Sequence, residues 1–195
     1  MAAPQTEVAT TSWQLDFKFH DPQRIVLQLP GQDEPSIYWY VLYTVTNNTG
    51  QDVQFFPSFK LVTDNLQVVD GGDEVSPTVY STIFDRHRPE FRFITTPAKV
   101  TGLLLQGEEN SRTSVAVFKD FDPGASEFTM YVGGLSGEIA RTPNPSFDPK
   151  KPESDTNPRG FVFRRTLAVT YAFPSDESSR VVASPIRKNR EWVMR

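Results

Sequence analysis

Cysteine is absent from this 195-residue chain. Its absence excludes structural disulfides, thiolate zinc sites, iron–sulfur clusters and a cysteine nucleophile. It leaves the redox compartment open, because exported proteins also occur without cysteine. Histidine is nearly absent, with only His20 and His87. A Ser-His-Asp triad would need one of them. No G-x-S-x-G stretch exists, and Gly133-Gly134-Leu135-Ser136-Gly137 has the wrong spacing. His87 stands among Asp85, Arg86 and Arg88, a setting expected at a solvated helix end. There is no H-E-x-x-H, no glycine-rich phosphate loop and no dinucleotide fingerprint. No apolar run approaches the roughly 20 residues of a membrane-spanning helix. The opening stretch MAAPQTEVATTS lacks the basic and apolar regions of a signal peptide. It is read as the start of a mature exported chain behind an added Met, with a natural cytoplasmic start as the alternative.

What the chain does contain is aromatic and punctuated. Fifteen Phe, sixteen Pro and eleven Gly suit short strands joined by turns, and the Phe side chains supply core area. A chain of this length can bury roughly 70% of its unfolded surface without help from metal or disulfide. The net charge of -4 conceals an asymmetry. Residues 1–158 carry 12 basic and 21 acidic side chains, whereas residues 159–195 carry 8 and 3. The basic surplus is read as strands beside acidic neighbours, with a basic patch for an acidic partner as the alternative.

The chain centres on SIYWYVLYTVTNNTGQDVQFFPSFKLVTD, residues 36–64. Two runs of aromatic and β-branched residues flank a polar turn, the pattern of a long β-hairpin. Side chains alternate along a strand, so Ile37, Trp39, Val41, Tyr43 and Val45 form one apolar stripe. The opposite stripe, Tyr38, Tyr40 and Leu42, is also apolar, so this strand is expected to be covered on both faces. Pro57 marks a bulge or a sheet edge. Elsewhere Trp13, Leu15, Phe17 and Phe19 alternate as a half-buried strand, and Ile25 to Leu29 form a second. Ser76-Pro77 reads as a helix start, giving the one expected helix over 77–88. Further strands are expected at 99–106, 114–118, 128–132, 161–173, 181–184 and 192–194, with a turn at 107–111. Val115 and Val117 are expected to face Trp39 across the sandwich, and Phe128, Met130 and Val132 to alternate along their strand. The fold class is therefore an all-β, immunoglobulin-like antiparallel β-sandwich with one short helix. Residues 1–11 read as a disordered tail. Residues 12–195 read as a single domain carrying a long loop at 141–160. Phe147 is the expected anchor of that loop.

Several stretches invite chemistry and are explained more simply by structure. Asp120, Asp122 and Glu127 form the most metal-like cluster, and Asp70, Asp73 and Glu74 a second. Their spacing fails the EF-hand pattern, and Asp-Pro-Gly is ordinary turn chemistry. Glu108-Glu109 are read as turn residues, not as a glycosidase pair. Trp39, Tyr38 and Tyr40 could stack on a sugar only if exposed. Arg164-Arg165 and Arg187-Lys188-Asn189-Arg190 are read as solvated faces, not a nucleic-acid surface. Asn47-Asn48-Thr49 matches a glycosylation sequon, which a hairpin turn explains. No catalytic, cofactor-binding or metal-ligating residue is assigned.

Four stretches together, WQLDFKFHDPQRI, YWYVLYTVTNNTGQDVQF, LLLQGEENSRTSVAVFKDFDP and WVMR, resemble a group of uncharacterised exported proteins of planctomycete-type bacteria. The resemblance implies an immunoglobulin-like sandwich in the periplasm or cell envelope, and no activity. The expected role is a non-catalytic, exported structural or protein-interaction module with a protein partner, no nucleic acid and no membrane span. A carbohydrate-binding accessory module is the alternative.

Overall fold

A computed structural model describes residues 7–9, 13–173 and 184–195. Its first strands are β1 (Glu7–Ala9), β2 (Asp16–Phe19), β3 (Gln23–Leu27), β4 (Ser36–Asn47), β5 (Val53–Phe55), β6 (Ser58–Thr63) and β7 (Val68–Asp70). Two helices follow, α1 (Pro77–His87) and α2 (Pro97–Val100). The chain then continues through β8 (Gly102–Leu104), β9 (Gly107–Lys119), β10 (Glu127–Gly133), β11 (Ile139–Pro143), β12 (Gly160–Ala172) and β13 (Ile186–Met194).

Two antiparallel sheets pack face to face, making an all-β sandwich. In the smaller one β4 is central. β9 lies along one side of it, and β2 and β3 lie end to end along the other. The larger sheet has seven strands in the order β1-β11-β12-β10-β6-β7, with β13 on the free side of β12. Trp39, Val41, Tyr43 and Val45 face Met130, Val132, Leu167 and Val169 in the core between the sheets. The other stripe of β4, Tyr38, Tyr40 and Leu42, is buried under α1 through Val79 and Ile83. Ser76 caps α1 by accepting from Thr78 N at 3.3 Å, and Pro77 fits its first turn.

Several sequence-based expectations give way here. The 36–64 stretch is not a hairpin: both sides of β4 are already occupied, and the returning arm crosses to the other sheet. There β6 pairs with β10, while β5 pairs with β8 in a separate two-stranded sheet. Pro57 falls at the crossing between β5 and β6. Asn47, fully buried, shapes the reversal by donating to Gln51 O and Leu104 O and accepting from Thr49 N. Val115 and Val117, expected opposite Trp39, lie beside Leu42 and Tyr40 under α1; Ala116 and Phe118 take the inner face. One-residue alternation does not say which of two apolar stripes meets which layer. The expected strand at 99–106 is divided into α2 and β8, so a second, four-residue helix exists. The expected turn at 107–111 is the start of β9, and 192–194 belong to the nine-residue β13. Glu7–Ala9, placed in a disordered tail, pair with β11. The rest of that tail, and 181–183 of the expected strand 181–184, lie outside the described residues.

The 144–159 excursion between β11 and β12 carries its own hydrogen bonds. Asn144 Nδ2 donates to Pro158 O at 2.8 Å and closes the base. The tip is held by Asn157, which accepts from Asp148 N at 2.9 Å and donates to Asp148 O and Pro152 O. Asn157 is buried and is the anchor. Phe147, expected in that role, is half-buried beneath the Arg159 guanidinium.

Two tests follow from this packing. Trp39 is 2% exposed, lies 5.4 Å from Phe173 and donates its indole N–H to Asp120 at 2.8 Å. Trp39→Ala should cost roughly 3–5 kcal/mol by leaving a large cavity; an unchanged urea midpoint would contradict the packing. Trypsin should cleave the native protein slowly at Lys150-Lys151 and Asn157→Ala quickly. Equal rates would mean that Asn157 does not hold the loop.

Candidate functional site

The outer face of the seven-stranded sheet carries a hollow of about 560 Å³. It arises from an irregularity in the strand line opposite β12. Val132 pairs with Leu167 and Ile139 with Arg164, so residues 133–138 stand opposite only Arg165 and Thr166. Bulges of this kind bend a strand and open the surface beside it. Leu135 turns into the core, and residues 13–15 lace the bulge down: Leu15 N donates to Leu135 O at 2.9 Å and Gly137 N to Trp13 O at 3.2 Å.

Glycine is needed where the walls touch. Gly134 has φ +84°, and a Cβ there would lie 2.3 Å from Phe56 O. At Gly137 a Cβ would lie 2.3 Å from the Trp13 indole nitrogen. The Gly133–Gly137 stretch, rejected as a nucleophile motif, is thus one wall of this hollow. Ser136 in it donates to Trp13 O and accepts from Glu138 N.

The chemistry of the hollow is basic and aromatic. The register Lys60–Tyr131–Ala168 puts Lys60 and Tyr131 on the outer face. Arg195 lies over the Tyr131 ring, its guanidinium carbon 4.0 Å from the centroid. Arg164 completes the cationic rim, and Trp13 and Phe56 are further aromatic walls. No Asp, Glu or His side chain is among its described walls. Lys60 pairs with Asp70 at 2.8 Å, whereas Arg164 and Arg195 have no ion pair among the described residues.

The residues singled out from sequence lie elsewhere. Asp120 accepts from Trp39, and Asp122 accepts from Gly124 N at 2.7 Å and Asn65 Nδ2 at 2.6 Å. In the second acidic loop Asp70 pairs with Lys60 and Glu74 with Lys119. Among the described residues no three His, Asp or Glu side chains converge as metal ligands would. Glu108 and Glu109 are exposed at the start of β9. Trp39, Tyr38 and Tyr40 are buried, which removes the surface platform a sugar would need. Of the arginines, Arg165 is held by Glu138 at 2.9 Å, and Arg187 by Asp21, where Tyr171 also donates at 3.0 Å. Only Arg164 of these joins the hollow. Composition pointed to the basic C-terminal portion, but not to Arg195 meeting Tyr131.

The two histidines flank Phe91, and His87 is not a solvated helix end. It is half-buried, with Nε2 2.9 Å from the Tyr40 hydroxyl, which also contacts Gln23 and Arg86. Burial, and then the Arg86 and His20 charges, lower its pKa from 6.5, with Glu90 opposing. The unfolded chain therefore binds this proton first. The contribution of neutral His87 to stability is complete above about pH 6.5 and is lost as pH falls toward the lower folded value. Between pH 7.5 and 5.5 the native protein should lose more stability than His87→Gln, measured by urea titration. Parallel losses would show that His87 does not titrate on unfolding.

No family model, no curated protein and no solved structure matches the chain.

Proposed function

We propose that this chain is a non-catalytic, exported interaction module of the immunoglobulin-like kind, which holds an acidic segment of a protein partner in its outer hollow. The observation that carries this reading is the pair Arg164 and Arg195, without ion pairs among the described residues, in a concavity walled by Trp13, Phe56 and Tyr131. Aromatic residues and arginine are the side chains most enriched where proteins bind one another. An arginine stacked on an aromatic ring keeps its N–H edge free for a carboxylate. Phe56, 62% exposed, adds apolar contact area beside these cations.

Export rests on the four stretches that resemble exported bacterial proteins. No helix among the described residues is long and apolar enough to cross a membrane. The immunoglobulin-like assignment is supported by two face-to-face antiparallel sheets and a buried Trp on the middle strand of one.

A fluorescent peptide of alternating Glu and Phe tests the reading. It should bind, and binding should weaken with salt, because surface charges are screened over about 8 Å at physiological ionic strength. Arg164→Ala and Arg195→Ala should each weaken it about fivefold, in line with the ~1 kcal/mol of a half-exposed charge pair. Arg159→Ala, outside the hollow, should not. Equal binding of a Gln-for-Glu peptide would overturn the acidic-partner reading. Preferential binding of polygalacturonate at equal charge would turn it to the carbohydrate-binding alternative.

A further inference from the structure

The backbone of β12 has β11 and β10 along one side, but β13 covers the other side only from Arg164 onward. Asn144 N donates to Arg159 O at 3.0 Å and Arg165 N to Glu138 O at 3.0 Å, so the odd-numbered residues here bond toward β11. Arg164 N donates to Arg195 O at 2.7 Å, and Arg195 N to Arg164 O at 3.1 Å. Alternate residues of an antiparallel strand turn N–H and C=O to the same side, so the even-numbered residues face the line of β13. Gly160 and Val162 therefore turn their N–H and C=O groups to that side, past Arg195, where no described residue pairs with them.

The free edge at residues 160–163 is about 13 Å long. It carries no lysine, no proline and no charge, the devices that keep a strand edge from pairing. The rest of this side of β12 is shielded by β13, whose own run Arg187-Lys188-Asn189-Arg190-Glu191 is exposed and charged. On the free edge Phe161 is 45% and Val162 53% exposed, and a concavity of about 620 Å³ opens beside them. Alternation puts Val162 on the outer face with Arg164, and Phe161 and Phe163 on the face of Leu167.

We propose that the acidic segment of the partner binds as an added antiparallel strand on residues 160–163, in line with β13. This rests on the acidic-partner reading above and adds to it the bound conformation and the order of side chains. A strand added to a free edge gains affinity from main-chain hydrogen bonds and specificity from alternate side chains. The added residue opposite Val162 exchanges both backbone hydrogen bonds with it and projects its side chain outward. It stands two residues on from Arg195 along the strand line and diagonal to Arg164, so a carboxylate there meets both guanidinium groups. Its neighbours turn to the face of Phe161 and Phe163 and are apolar. The segment thus alternates acidic and apolar residues. A second copy of the chain is a poorer occupant, because an edge of about 13 Å falls far short of the roughly 1,000 Å² of contact a stable interface needs.

The experiment follows amide exchange in the isotope-labelled protein with the alternating Glu–Phe peptide and two methylated forms of it. The Val162 amide should exchange freely in the unbound protein and at least tenfold more slowly in the complex. Methylating every Glu nitrogen removes the N–H groups that face Val162 and should weaken binding at least tenfold. Methylating every Phe nitrogen should change it less than threefold. Val162→Pro, which removes an N–H with no partner in the described fold, should weaken binding about tenfold. The methylated peptides decide the matter if that variant does not fold. If the peptide binds and Arg164→Ala weakens it, but Val162 stays unprotected and Glu methylation costs no more than Phe methylation, the strand falls and the acidic-partner reading stands. If the peptide does not bind, both fall. Protection of Val162 in the unbound protein also ends the proposal: with a concentration dependence the edge belongs to a second copy, and without one to the protein's own chain.

Discussion

The structure depends on one strand being covered on both faces. From Tyr38 to Tyr43 every residue of β4 is buried, and both of its backbone edges are paired. A strand apolar on one side needs only one layer against it, whereas β4 requires two. The seven-stranded sheet supplies the first and α1 the second. Polar groups fix both contacts: Trp39 donates to Asp120 on one side, and Tyr40 meets Gln23, Arg86 and His87 on the other. Each of these phenol and indole groups has a partner, as burial demands. The Tyr43 hydroxyl, on the same strand, does not have one among the described residues.

Filling both faces of β4 uses the central aromatic residues in packing, so the outer hollow forms at the periphery, where sheet regularity breaks. Residues 133–138 recess the outer face of the larger sheet and gather Trp13, Tyr131, Arg164 and Arg195 from distant parts of the chain. The result is open and cationic.

The molecule also separates rigidity from polarity in an unusual place. The 144–159 excursion is rich in proline and charge and has almost no apolar area, yet it is tied by Asn144 and Asn157. Asparagine can donate and accept at once, so one side chain closes several loop amides and carbonyls. Composition counts such a stretch as loose because it weighs apolar area, whereas here one buried amide supplies the order.

By itself the sequence determined the strand content, the double burial of β4, the start of α1 at Ser76-Pro77, and the alternation of Phe128, Met130 and Val132. These are local properties: side-chain period, cap chemistry and turn residues act over a few positions and are visible in any window that contains them. The tertiary structure alone decided that β6 crosses to the opposite sheet, that Val115 and Val117 lie under α1 instead of opposite Trp39, and that Arg195 meets Tyr131. Alternation says that a residue is buried but not by which layer, because two apolar stripes on one strand are equivalent until partners are chosen. Those partners come from far along the chain, and their choice depends on which edges remain unpaired once β4 is enclosed. The hollow is a product of that choice, which is why it was not legible in the order of the residues.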